Sequence, residues 1–332
     1  MPSLSQPQAI SMTEIQQAAR ILKSGGLIAF PTETVYGLGA DAENTDALAK
    51  LYAAKGRPVN HPVIVHLACK DQLVDWAKEI PKEALALADA FWPGPLTLIL
   101  KKADKVPDAV TGGQSTVGIR VPDHPVTLAL LKAFGGGMAG PSANRFGRLS
   151  PTTAAHVRDD LGQDVDFVLE GGACQVGVES TIVAFRDGLP VVLRPGMITA
   201  EQIQAVLASA VSLESQKKTG EGSGSTVSRA PGTLASHYAP RTPTRLLSAE
   251  ALRDLPTDAK IGVLAFSRKP ESLQNVDWVV MPTNPDAYAQ LLYGKLRELD
   301  AAGLSEIWVE QVPDESCWFA VKDRLSRAAF RV

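Results

Sequence analysis

The sequence predicts an α/β protein of two unequal units joined by a polar linker. Residues 27–66 spell a strand–loop–helix–loop–strand unit. From 209 to 226 the composition shifts to Ser, Gly, Lys, Glu and Gln. Beyond residue 243, short apolar runs alternate with helical periodicity, the pattern of a small open α/β sheet of Rossmann-like type. The boundaries expected are 1–208 for the first unit, 209–243 for the linker and 244–332 for the second unit.

In the first unit, Ile15, Ala18, Ala19 and Leu22 recur at helical spacing, which predicts an amphipathic helix over 13–23 packed on the first sheet. The apolar run 27–30 is a buried strand that stops at Pro31, and a polar, glycine-containing loop over 32–39 follows. That loop gathers hydroxyls, a carboxylate and backbone amides at a strand end. Asn44 or Thr45 caps the next helix, Leu48, Leu51 and Tyr52 form its apolar face, and Gly56 stops it. Lys55 and Arg57 therefore stand together at a helix end, where they serve either as dipole compensation and capping or as a clamp on an anion. Pro58 and Pro62 stiffen the path into the strand 63–66, which ends on the polar His66.

Two helices are expected at 71–77 and 81–91, then a rigid turn Trp92-Pro93-Gly94-Pro95 and a strand over 96–100. A polar loop over 111–116 runs into the strand 117–122, which carries Arg120 among apolar neighbours. Burying an unpaired guanidinium is prohibitive, so Arg120 needs Glu33, Glu179, Asp123 or a bound ligand as its partner. A helix over 124–134 exits through Gly135, Gly136 and Gly137. Small residues, hydroxyls and amides over 138–147 and 150–152 either admit a ligand close to the backbone or simply make turns and caps. A strand over 166–169, a hairpin pair over 179–183 and 191–196, and a helix over 200–207 opened by the capping box of Thr199 and Gln202 complete the unit.

The second unit has strand-like runs at 245–247, 261–266, 278–281 and 307–310. Helical stretches lie near 249–255, 284–299 and 316–329, the second opened by Asn284 and Pro285. No G-x-G-x-x-G follows any of these strands, so dinucleotide binding is not expected.

With 332 residues, 45 % hydrophobic and 21 % charged, the composition is that of an ordinary globular protein. The net charge of -3 gives no drive toward nucleic acid, and no stable nucleic-acid binding is expected. No apolar run approaches the ~20 residues that span a bilayer, and residues 1–8 lack the features of a signal peptide. The expectation is a cytoplasmic protein without a membrane partner. Cys69, Cys174 and Cys317 form no C-x-x-C pair and no zinc-like spacing, so no protein metal site is expected.

The stretches P-T-E-T-V-Y-G-L-G (31–39), K-G-R-P (55–58), P-V-I-V-H (62–66) and W-P-G-P-L-T (92–97) together resemble the YrdC-like domain of threonylcarbamoyl-AMP synthases. The S-x-N element at Ser142 and Asn144 continues the resemblance. The run from Pro231 and Gly232 to His237, Tyr238 and Pro240 is similar to the P-G-x-x-x-x-H-Y-x-P linker of the family's longer, two-domain members. The resemblance implies a twisted mixed sheet with flanking helices and a concave pocket. It also implies a nucleotidyltransferase that makes threonylcarbamoyl-AMP from ATP, L-threonine and bicarbonate. Mg²⁺ would arrive with the ATP, and the product would pass to a tRNA threonylcarbamoyl transferase complex that modifies the adenosine beside the anticodon.

Carried over residue by residue, the family's pattern puts Lys55 and Arg57 at phosphate neutralisation, with no covalent nucleophile. It puts Arg57, His61, Thr116, Ser142, Asn144, Ser150, Arg194 and Tyr238 at ATP, and Thr34, His66, Arg120, Gly140 and Ser180 at L-threonine. Where the family commonly has Asn, this chain has His61 with Asn60 beside it, so either side chain takes that contact. The linker over 230–240 is expected to be a lid with Tyr238 reaching the nucleotide. Two other classes compete: a double-stranded-RNA-binding or ribosome-maturation module without synthase activity, and a carbamoyl transferase using carbamoyl phosphate. The acidic balance, Arg120 and His66 weigh against the first. The lack of attached zinc-finger or acylphosphatase-like motifs weighs against the second.

Overall fold

The computed structural model describes residues 11–186, 188–213, 231–232, 237–253, 260–271, 273 and 276–330. In the first unit the strands are β1 (Ile28–Phe30), β2 (Gly37–Asp41), β3 (Ile64–His66), β4 (Leu96–Lys101), β5 (Thr116–Arg120), β6 (Met138–Ala139), β7 (Phe167–Val168), β8 (Thr181–Arg186), β9 (Leu189–Arg194) and β10 (Ser212–Leu213). They form one 10-stranded mixed sheet in the order β10-β9-β8-β4-β5-β3-β6-β2-β1-β7. The helices are α1 (Met12–Lys23), α2 (Thr45–Lys55), α3 (Leu73–Trp76), α4 (Lys82–Phe91), α5 (Asp108–Thr111), α6 (Pro125–Phe134), α7 (Ala154–Leu161) and α8 (Ala200–Leu207).

Strand alternation decides which layer each side chain joins. Ile28 and Phe30 pack with α1 and α6, whereas Leu27 and Ala29 join the larger core against α2 and α4 on the other face. Helix α2 begins where the Asn44 side chain accepts the Asp46 and Ala47 amides, and it stops at Gly56 with φ 61. That stop swings Arg57 away from the helix axis and sends the chain toward β3.

One expectation is corrected next to the site. The polar loop over 32–39 becomes strand from Gly37 onward, pairing antiparallel with β1. The cause is steric: a Cβ at Gly37 would lie 2.3 Å from Phe30 Cζ, so a bare backbone here lets β2 cross the phenyl ring. The helix expected over 71–77 is a short 3₁₀ turn followed by α3. Strand β10 lies within the stretch expected to be linker, most of which falls outside the described residues.

The second unit has β11 (Thr244–Leu247), β12 (Ile261–Ala265), β13 (Val276–Val280) and β14 (Glu306–Glu310), with α9 (Pro285–Ala301) and α10 (Phe319–Ala328). The four strands are all parallel, in the order β11-β14-β12-β13, as an open α/β sheet requires. The helix expected over 249–255 is a 3₁₀ turn at Ala251–Arg253, and its remainder lies outside the described residues. Tyr288, Leu292, Tyr293, Leu296 and Leu299 give α9 a buried stripe.

The two units share one apolar cluster. Val35, Leu149, Val178 and Tyr238 of the first unit and linker pack with α9, α10 and the second sheet. At its edge Arg297 of α9 grips Asp160 through both terminal nitrogens, at 3.0 and 2.5 Å, and donates to the Leu149 carbonyl. Cys69, Cys174 and Cys317 are all free thiols. Among the described residues, no helix is long and apolar enough to cross a membrane.

Candidate active site

The ends of β3 and β5, the 32–37 and 140–142 loops, the start of β8, the end of β9 and the linker all converge on one small cavity of about 50 Å³. Two clusters line it.

The first cluster surrounds Arg120. β3 and β5 run parallel with His66 opposite Arg120, which sets imidazole beside guanidinium. Arg120 Nε donates to the Gly94 carbonyl at 3.1 Å, and Nη1 donates to Thr34 Oγ1 at 2.9 Å. Nη2 lies 2.7 Å from Glu33 Oε1. That ion pair is close but misaligned, since neither Nη2 nor either Glu33 oxygen has a hydrogen bond of acceptable geometry. Of the partners the sequence allows, Glu33 is therefore the one within reach, and it leaves hydrogen-bonding capacity on Arg120. Thr32 donates to the Val35 carbonyl, so the Thr34 hydroxyl, already accepting from Arg120, donates to Thr32. The hydroxyl orientations are thus fixed before any ligand arrives.

His66 is buried against the edge of Phe30, and its Nδ1 has no partner. Burial, reinforced by the Arg120 cation, pushes its pKa down to about 3. The ring is neutral at physiological pH. Gly140 lies directly against it: a Cβ there would sit 2.7 Å from His66 Nδ1.

The second cluster is cationic. Arg194 Nε donates to the Ser180 carbonyl at 3.0 Å, Nη2 to Ser180 Oγ at 3.1 Å and Nη1 to the Pro231 carbonyl at 3.0 Å. Ser180 Oγ in turn meets Thr97 Oγ1 at 2.8 Å. Arg57 donates to the Pro62 carbonyl at 2.8 Å and lies over the Phe146 ring. Burial lowers the pKa of both guanidiniums, but from so high an ordinary value that they stay charged at neutral pH.

The linker closes the cavity. Tyr238 is 1 % exposed and takes a left-handed backbone, φ 58, costly for a tyrosine and kept only because its ring is packed on all sides. Its hydroxyl lies beside Arg194 Nη1 and against Gly232, where a Cβ would fall 1.9 Å from the phenolic oxygen. His237 is wedged between Phe146 and Tyr238, and burial pushes its pKa to about 3 as well.

The structure thus brings Thr34, Arg57, His66, Arg120, Gly140, Ser142, Ser180, Arg194 and Tyr238 around one cavity. Five other candidates stand outside its lining. Lys55 is buried, with its ammonium donating to the Ser142 and Asn144 carbonyls, so it holds the 142–144 loop in place. Burial, with Arg57 adding repulsion, lowers its pKa well below the ordinary value. The Asn144 amide ties off the Arg145 and Arg148 carbonyls, and Ser150 donates to Glu179 at 2.5 Å. His61 packs edge-on against Phe146, and Asn60 is exposed. Thr116 starts β5, paired with Lys101, about 13 Å along the strand from Arg120.

Glu179, Thr32 and His237 also line the cavity. The sequence offered Glu179 only as a partner for Arg120. Instead its Oε2 accepts from Arg324 Nε at 2.6 Å and from Tyr293 Oη at 3.0 Å, both from the second unit. Burial would raise the pKa of Glu179, but the Arg324 and Arg194 cations and the Ser150 hydroxyl hold it below the ordinary value. Arg324 had a signal: it stands among Ala320, Val321, Leu325 and Ala328 on the apolar stripe of α10, where a cation is out of place unless buried and paired.

Residues 20–196 match the Sua5/YciO/YrdC family model, described as "Telomere recombination", and residues 198–330 match that of the "Threonylcarbamoyl-AMP synthase, C-terminal domain". The chain is 41 % identical to the threonylcarbamoyl-AMP synthase of Bacillus subtilis, over 95 % of this chain and 93 % of that one. It is 37 % identical to that of Pyrococcus abyssi, over 97 % of this chain and 96 % of the relative. A solved structure of P. abyssi Sua5 complexed with L-threonine aligns with a TM-score of 0.86 at 35 % identity, covering 97 % of this chain and 96 % of that one. Matched along both of its units in sequence and in fold, the chain belongs to the two-domain Sua5 family.

Proposed function

We infer that this chain is a threonylcarbamoyl-AMP synthase, converting L-threonine, bicarbonate and ATP into L-threonylcarbamoyl-AMP, pyrophosphate and water. One observation carries the reading: a single cavity joins the Arg120–Thr34–His66 cluster to the Arg57–Ser180–Arg194 cluster. Arg120 and Thr34 suit an amino-acid carboxylate, and the neutral His66 adds no competing charge. The threonine amine becomes a carbamate whose oxygen attacks the α-phosphorus, and pyrophosphate leaves. Arg57 and Arg194 are suited to neutralise the charge that develops there, so the chain supplies positioning and electrostatics without a nucleophile of its own. This makes it a nucleotidyltransferase.

A cavity of about 50 Å³ is far below the roughly 300 Å³ at which small-molecule pockets begin, so ATP enters only when His237 and Tyr238 move outward. Mg²⁺ enters with the nucleotide. Among the described residues no cluster of three His, Cys, Asp or Glu side chains stands ready to hold a metal, so the triphosphate would supply the ion's ligands. The product is handed, in the cytoplasm, to a tRNA threonylcarbamoyl transferase. Arg57, Arg120 and Arg194 are only 8 %, 4 % and 3 % exposed and face inward, which suits a small anion and not a duplex backbone.

The test is incubation with labelled threonine, bicarbonate and ATP. A threonine-dependent AMP adduct with equimolar pyrophosphate is expected, and absence of the adduct from folded protein would overturn the reading.

A further inference from the structure

The second unit reaches the cavity at Glu179. This carboxylate lines the same cavity as Arg194, yet no hydrogen bond joins them. Arg194 directs its donors to Ser180 and Pro231, whereas Glu179 is gripped by Arg324 and Tyr293. Arg324 is fixed in turn: its Nη1 donates to the Pro195 carbonyl at 3.0 Å and to Asp323 at 2.6 Å, and its Nη2 to the Glu179 carbonyl at 3.3 Å. The Arg324 guanidinium also lies 5.2 Å from the centre of the Tyr238 ring, and the Tyr293 ring lies 6.0 Å from it. The side chain of Arg324 is wholly buried, and that of Glu179 is 7 % exposed.

A buried carboxylate held against an anion site is a problem unless something takes its charge. Left alone, Glu179 would turn to the neighbouring Arg194 and occupy the cation that a phosphate needs. We propose that Arg324 and Tyr293 are positioning residues for the synthase reaction: by binding Glu179 they keep Arg194 available to the nucleotide, which makes the C-terminal unit a working part of the ATP pocket. Arg120 donates its own hydrogen bonds to Gly94 and Thr34, and the two clusters are linked only through Ser180, held by Arg194, so threonine binding should respond much less than ATP binding. The proposal rests on the synthase reading given above.

The experiment compares wild type, Arg324→Met, Arg324→Lys, Tyr293→Phe and the double variant Glu179→Gln/Arg324→Met. It measures KM for ATP, kcat, calorimetric Kd for L-threonine and Tm. Arg324→Met should raise the ATP KM about tenfold or more while the threonine Kd stays within about twofold. Arg324→Lys should recover part of the loss, and the double variant, which has no charge to neutralise, should recover more of it than Arg324→Met retains. If Arg324→Met does not fold, Tyr293→Phe decides, because it keeps the ring packing, removes only the hydroxyl bond to Glu179, and should raise the ATP KM by a smaller factor. An unchanged ATP KM in the folded variants, or equal losses for ATP and threonine that Glu179→Gln does not relieve, would overturn the proposal. A wild-type enzyme that makes no adduct would instead overturn the synthase reading.

Discussion

Because burial holds the folded pKa of His66 at about 3, the chain's stability should depend on pH in a calculable way. An unfolded histidine titrates near 6.5, so between about 3 and 6.5 the unfolded chain binds a proton that the folded chain refuses. Stability is therefore complete above pH 6.5 and is lost as the pH falls below it, with the loss levelling off only near the folded value. At pH 5.5 the cost is RT ln(1 + 10), about 1.4 kcal/mol, and the figure hardly changes for any folded pKa below about 4.5. His237, also near 3, adds a similar amount, giving about 2.8 kcal/mol from the two rings. Urea unfolding of wild type and of His66→Gln at pH 7.5 and pH 5.5 isolates the His66 share. The wild-type drop between the two pH values should exceed that of the variant by about 1.4 kcal/mol. With only five histidines in the chain, proton–carbon NMR can follow each ring directly. Equal drops, or a His66 ring titrating near pH 6.5 in the folded protein, would show that the pocket tolerates an imidazolium beside Arg120 and would refute the argument.

Two further outcomes follow from the same pocket. Gly140→Ala places a methyl carbon 2.7 Å from both His66 Nδ1 and Phe30 Cζ; it should cost about 1–3 kcal/mol of stability and weaken L-threonine binding, read by calorimetry. Tyr238→Ala removes the ring that closes the cavity and should lower the yield of intact threonylcarbamoyl-AMP in a chromatographic assay, whereas Tyr238→Phe should retain most of it; equal yields from wild type and Tyr238→Ala would rule out a closing role.

Much of this architecture is written locally in the sequence. The cap of Asn44 and the stop at Gly56 bound α2, and the isolated Arg120 announced a buried charge that needed a partner. What the sequence did not disclose is decided at long range. Lys55 has the same local pattern whether it meets a phosphate or a carbonyl, and only the 142–144 loop, 87 and 89 positions away, directs its ammonium to backbone oxygens. Residues 37–39 read as loop because two glycines break any strand pattern, yet those glycines let β2 pass over the ring of Phe30. The partner of Glu179 is less visible still, since it lies on a helix of the other unit. Only the misplaced charge on the α10 stripe hints at it.

The separation between Glu179 and Arg324 also places the pocket in time. The pair spans 145 positions, and translation at about 5–20 residues per second takes roughly 7–30 s to cross them. For most of that interval the nascent first unit carries Glu179 with Arg194 already made but Arg324 not, together with the uncovered apolar faces of Val35, Leu149 and Val178. On the proposal above, the pocket is complete only once the helix that carries Arg324 has been made and has docked against Glu179.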